Sequence, residues 1–340
     1  MLTLAKLELR PKALLGLTGL TPDQFALILD TFIPLWQASE QKRLSRPNRQ
    51  RAIGAGNSFK LEPPERVLLT VIYLRQYLTQ DFLGLLVFDL HKSNVGRCIS
   101  ATLPLLEQSL PGPIRARTLK PADQEDTIPP SSYKPNRRRK IGTLKEFLEQ
   151  FPELEEVIID SSEQPRGQPK PAKKVDGKRP PGRPVDKRRY YSAKAGQHTL
   201  KTQMAVSPQG LIVHQSATAP GRMHDSRLLR RSRLGTALGV GTRVIGDKGY
   251  VGMDKVYPEY EVITPKMKPK GGQLSEEERE LNRLVAKARI EVENAICRVK
   301  KYRACGDFYR GPVAQHGVMW GVVSGLVNLR LLDRLAQEAA

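Results

Sequence analysis

Apolar positions recur at two different periods along the chain, and the change of period divides it. Up to about residue 110 the spacing is helical. Thr21-Pro22-Asp23 supplies a cap and a first-turn proline, and Phe25, Ile28, Leu29, Phe32 and Ile33 follow on one face. Glu62-Pro63-Pro64-Glu65 opens a second long helix, with Val67, Leu68, Val71, Ile72, Leu74 and Leu78 as its apolar side. Gln80 to Leu86 and Ser93 to Leu103 predict two shorter helices, the second capped by Ser93.

Residues 111–150 break the pattern. Pro111, Pro113, Pro121, Pro129, Pro130 and Pro135 lead into the run Arg137-Arg138-Arg139-Lys140, which reads as a basic linker.

From residue 151 short apolar runs alternate with helical stretches. Glu156 to Asp160 and Arg243 to Asp247 are predicted as short buried strands, each ending on an aspartate. Thr199 to Val206 and Gly210 to Ser216 predict a hairpin, and Glu259 to Thr264 a further strand. Asp225 is expected to cap a helix through Leu234. Ser275-Glu276-Glu277-Glu278 starts a long helix to about Lys301, and a final apolar helix covers about Val313 to Gln337. This order requires a mixed α/β sheet with helices on its faces.

Charge changes the picture. The 340 residues carry 56 Lys plus Arg against 35 Asp plus Glu, a net +21. So basic a chain meets a polyanion, and DNA is the partner that the helical outline suggests. Two short helices behind a long one are the outline of a helix-turn-helix, which would turn Asn94 and Arg97 toward DNA. An ordinary three-helix bundle fits the same pattern, and a ribosomal-type basic protein fits the same charge.

Three cysteines without a CxxC argue against a disulfide framework or a zinc ribbon. The N-terminal segment has no signal-peptide core, and no apolar run approaches the ~20 residues that span a bilayer. The expectation is a cytoplasmic or nucleoid-associated protein with no membrane partner.

The candidate chemistry is carboxylate. A buried strand delivers its terminal side chain to the sheet edge where ligands gather in α/β folds. Asp160 and Asp247, presented there together, would repel each other unless a cation offsets their charge. On the long helix Arg289, Glu293 and Lys300 share one face, whereas two steps of about 100° turn Glu291 away. Each acid alone has a plainer reading: a turn or helix cap for the aspartates, a salt-bridged surface for the helix. The segment from Arg166 to Arg189, within a basic insertion at 164–190, holds ten Lys or Arg and two acids, too polar to pack a core.

Taken together, VIIDSSEQP, YYSAKAGQHTLKTQMAV, APGRMHDSRLLR, VIGDKGY and RIEVENAICRVK resemble the DDE superfamily endonucleases. More closely they resemble insertion-sequence transposases of the branch related to Harbinger elements. The resemblance implies an RNase H-like nuclease domain at 151–340, preceded by an all-α helix-turn-helix domain at 1–110 and the linker at 111–150. It assigns the three acids to Asp160, Asp247 and Glu293, holding two Mg²⁺ ions, with Mn²⁺ as a substitute. It implies cleavage and strand transfer at the ends of an insertion element, on terminal inverted repeats and target DNA, by a homodimer in the synaptic complex. Arg289, Lys300, Lys248, Lys201, Arg179 and Arg183 are the expected DNA contacts beside Asn94 and Arg97. Ala286 stands where the family often has tyrosine. Lys178 to Pro184 is similar to an AT-hook, although a phosphate-binding loop is the preferred reading. A catalytically silent DNA-binding descendant of a transposase is the alternative.

Overall fold

The computed structural model describes residues 1–45, 52, 59–119, 156–169, 187–239 and 241–339. These form two compact units: Met1–Gly112 with Val299–Gly306 and Val318–Ala340, and Pro113–Arg298 with Asp307–Gly317.

The first unit is helical. Helices α1 (Leu4–Glu8) and α2 (Pro11–Thr18) precede α3 (Pro22–Leu44), whose start is fixed by a capping box between Thr21 and Gln24. Helix α4 (Pro63–Gln76) is buried along most of its length, with Val67, Leu68, Leu69, Val71 and Leu74 fully enclosed. It packs beside α3 and α6. The short α5 (Gln80–Phe82) widens into a π-helical turn, Leu83–Phe88, which ends at Asp89 with φ 52°. Helix α6 runs from Lys92 to Ser109, farther than the apolar spacing predicts, and Pro104 lies inside it. Its cap is His91, whose side chain accepts from the Ser93 amide, so Ser93 stands inside the first turn. The C-terminal segment joins this unit through the Gln24 amide, which donates to Asp333 at 2.7 Å.

The second unit is built on one mixed sheet. Among the described residues its strands are β1 (Ile114–Arg115), β2 (Glu156–Pro165), β3 (Tyr191–Ser192), β4 (Gln197–Val206), β5 (Ile212–Gln215), β6 (Ala219–Pro220), β7 (Arg243–Ile245) and β8 (Glu261–Ile263). The main path is β1-β5-β4-β2-β7-β8, with β3 and β6 also paired to β4. Strands β2, β7 and β8 are parallel, and β4 is antiparallel to β2 and β5. The hairpin turn is where the sequence places it, and Gly210 takes φ 88° there. One face buries Val157, Ile159, Ala205, Val213, Val244 and Tyr250 with Leu229 and Leu234.

The helix Glu276–Lys300 begins as expected, with Ser275 and Glu278 exchanging backbone and side-chain hydrogen bonds of 3.0 and 3.1 Å. The final helix covers Val313–Ala339. The fold is thus α/β with a mixed sheet flanked by helices, and the N-terminal region is helical.

Candidate active site

Strand β2 continues past Asp160 to Pro165, five residues beyond its predicted end, because β4 stays paired with it from Ile158↔Val206 to Pro165↔Thr199. Asp160 is therefore inside a strand. What stops beside it is the parallel neighbour: β2 and β7 pair from Glu156↔Arg243 to Ile158↔Ile245, and no farther. Asp160 and Asp247 each stand two residues beyond the last pair, at matching positions on the carboxyl edge of the parallel strands.

Burial pushes the Asp160 carboxyl above the ordinary carboxylate range. The Ser161 N–H, which donates to it at 2.7 Å, and the Arg289 guanidinium pull it back, and the Asp247 charge raises it again. Asp247 leaves β7 in extended conformation and opens a 3₁₀ turn, Lys248–Tyr250, accepting the Gly249 N–H at 2.7 Å. Gly249 lets the turn pass close to the acids. A Cβ on it would lie 2.9 Å from Asp247 Oδ1, closer than real packing allows, and a tight 3.2 Å from Asp225 Oδ2, so those carboxylates would have to shift.

Glu293 reaches this region through Arg289. One guanidinium nitrogen, Nη2, lies 3.3 Å from Asp160 Oδ2 and 3.3 Å from Glu293 Oε1. The two carboxylate oxygens are therefore at most twice that distance apart. Arg289 is mostly buried and Glu293 half exposed. Lys300 ends the same helix, exposed, and Lys248 is exposed in the Asp247 turn.

Behind the acids lies a second charged group that the sequence reading misses. The Lys201 ammonium donates to Asp225 Oδ1 at 2.9 Å and to the Met223 carbonyl at 2.9 Å, and lies 3.3 Å from Glu163 Oε1. Its side chain is only 9% exposed, so Lys201 is an internal cation and not the DNA contact expected of it. Glu163 also accepts from the Thr199 hydroxyl at 2.8 Å. Asp225 is not the cap of its helix Asp225–Arg231, since His224 accepts the Ser226 N–H. Asp225 instead turns to Lys201 and to the Gly249 turn. Tyr250 is fully buried, and its hydroxyl meets Ser161 Oγ and Gln203 Nε2, each at 3.0 Å. It pins the Asp247 turn to β2 and β4. The signal for this group was the alternation of Ser161 and Glu163 after Asp160, which marks continuing strand.

Among the described residues no three His, Cys, Asp or Glu side chains are grouped to hold a metal ion. A guanidinium nitrogen stands between two of the candidate acids, where it supplies a counter-charge to the buried Asp160. The donor chemistry nevertheless suits a hard divalent cation. Asp160 and Asp247 offer carboxylate oxygens at the same sheet edge, and the repulsion from Asp247, which adds to the effect of burial on Asp160, is what such an ion would relieve.

In the helical unit Asn94 and Arg97 are exposed near the start of α6, and Arg97 Nη1 donates to Asn94 Oδ1 at 2.8 Å. Arg179, Arg183 and the AT-hook-like segment lie outside the described residues.

Two segments of the chain match known families. Residues 173–328 match the family model "DDE superfamily endonuclease", and residues 59–112 match "Helix-turn-helix of DDE superfamily endonuclease". The second half of the chain is thus similar to the DDE superfamily endonucleases, and residues 59–112 are similar to the helix-turn-helix of that superfamily. Among curated proteins, it is similar to the "Probable transposase for insertion sequence element IS702" of Microchaete diplosiphon. Identity is 27% over 293 residues, covering 86% of this chain and 87% of the relative. No solved structure matches. Among the described residues no helix is long and apolar enough to cross a membrane.

Proposed function

We propose that the chain is a metal-dependent DNA transposase, cutting phosphodiesters at the ends of an insertion element and joining the freed 3′ ends to target DNA. The observation that carries this reading is the matched placement of Asp160 and Asp247, with Glu293 tied to Asp160 through Arg289. The sheet is proposed to be RNase H-like. Asp160, Asp247 and Glu293 would hold two Mg²⁺ ions, or Mn²⁺ in their place. Bound there, such ions activate water or a 3′-hydroxyl and stabilise the leaving oxygen.

The protein's own groups do the rest. Burial of Asp160 and the rigid turn at Asp247 fix the carboxylates before DNA arrives, so little reorganisation is needed. Lys201 neutralises Asp225 and Glu163, which prevents a larger pool of negative charge from opposing an incoming phosphate. Arg289, Lys300 and Lys248 are the cations on hand for phosphate oxygens. Helix α6 presents Asn94 and Arg97 to duplex DNA, and pairing of two ends implies a homodimer at synapsis. Such a protein works at the nucleoid.

Incubation of the protein with DNA carrying the element's inverted ends, with and without Mg²⁺, tests the reading. Nicking that requires the ion supports it. Duplex binding without nicking would move the chain to the silent DNA-binding alternative.

A further inference from the structure

At the far end of β2 and β4 from Asp247, the sheet carries an aromatic and basic cluster that the cleavage chemistry does not use. Tyr191 of β3 is directly opposite His198 of β4, and their rings meet edge to face with centroids 5.6 Å apart. Tyr191 is 46% exposed. The Arg166 guanidinium lies over the neighbouring Tyr190 ring at 5.0 Å. Phe308, 51% exposed, reaches toward Gly167, the residue after Arg166. Lys187, Arg188 and Arg189 form the 3₁₀ turn that leads into these tyrosines, and Lys194 sits in the next turn, all exposed. From 187 to 198 there are four cations and no acid.

The backbone holds this cluster firmly. Arg166 N donates to His198 O at 2.9 Å, and Arg222 N to Arg189 O at 3.1 Å. His198 lies an even number of residues from Met204, the partner of Asp160, so it projects on the Asp160 face of the sheet. Arg166, beside His198, is six residues beyond Asp160, about 20 Å along the strand. Between them Gln164 is buried, bonded to Asp307 O and to His316, so the cluster is separate from the acids.

Half-exposed rings set among cations suit one ligand chemistry above others. A duplex hides the faces of its bases, and the cations alone would suffice for its phosphates. An unpaired strand offers both, with base faces to stack on rings and a backbone to follow the charge. We propose that Tyr191, Phe308 and His198, with Lys187, Arg189 and Lys194, form a platform for unpaired nucleotides of the DNA strand. This rests on the transposase reading, in which nicking leaves strands free to separate.

Fluorescence anisotropy of the full-length protein, with Asp160→Asn to prevent cleavage, tests the platform. The probes are a blunt duplex and the same duplex with an oligo-dT extension. The tailed duplex is expected to bind roughly tenfold tighter, as one stacked base provides. Tyr191→Ala and Phe308→Ala should erase that preference while blunt-duplex affinity stays unchanged, and Tyr191→Trp should keep it. Equal affinity for the two probes, or Tyr191→Ala weakening both alike, overturns the platform and leaves the nuclease reading intact. Failure to bind either probe overturns both.

Discussion

Asp160 and Asp247 occupy equivalent positions on two parallel strands, each two residues past the paired Ile158 and Ile245. The consequence is electrostatic. Asp160 is desolvated and feels the Asp247 charge, and together these outweigh the help from Ser161 N–H and Arg289. The folded protein holds the Asp160 proton more tightly than the unfolded chain does. Below the unfolded carboxylate pKa both states are protonated and nothing is lost. As pH rises through the unfolded value toward the raised folded one, the unfolded state ionises first and stability falls. Above the folded value the penalty is constant. Asp160→Asn should therefore melt higher than wild type at neutral pH in chelator, with the gap closing in acid. Thermal unfolding across pH measures this, and an equal gap at all pH values would contradict it.

Gly249 predicts a separation of activity from stability. Its added Cβ would press on Asp247 and Asp225 oxygens at 2.9 and 3.2 Å, and φ there is not in the left-handed region. The turn must shift by a few tenths of an ångström, a small cost to folding. Gly249→Ala should fold with a melting temperature near wild type and lose cleavage by about 10²-fold, the scale of a misplaced catalytic group. Single-turnover cleavage beside a melting curve checks it.

Lys201 predicts the opposite balance. Removing its ammonium leaves Asp225 and Glu163 facing each other with little solvent. Lys201→Met should cost about 3–5 kcal/mol of stability, as breaking one side of a buried ion pair does. Urea denaturation reads this directly. A Lys201→Met protein of wild-type stability that is weak only in DNA binding would restore the role that the sequence suggests.

The exposed pair Asn94 and Arg97 predicts a loss confined to sequence-specific binding. Arg97→Ala should weaken binding to the element's terminal repeat by about 1–3 kcal/mol while binding to unrelated duplex falls far less. Competition binding at fixed salt distinguishes the two.

Much of this site is legible in the residues, and the misreadings have physical causes. The runs Val157-Ile158-Ile159 and Val244-Ile245 announce buried strands, and Glu293 follows from helical geometry against Glu291. Asp160 as a strand end is not what the structure shows. Ser161 and Glu163 look like loop because they are polar, yet they face an internal polar cluster while Ser162 and Gln164 turn to the other side. Lys201 carries the same lesson. A lysine in a basic chain reads as a DNA contact, and only the fold reveals that Glu163, 38 residues before it, and Asp225, 24 residues after it, close around it. The caps at His91 and His224 escape because a histidine ring accepts an N–H as the usual oxygen caps do.

The central claim is that Asp160, Asp247 and Glu293 act as one set, and the most direct measurement is Mg²⁺-dependent cleavage of labelled DNA ends by single variants. Asp160→Asn, Asp247→Asn and Glu293→Gln should each abolish cleavage while duplex binding persists, and Glu291→Gln should cut at the wild-type rate. Normal cleavage by Asp160→Asn or Glu293→Gln, or a loss with Glu291→Gln equal to that with Glu293→Gln, would contradict the account.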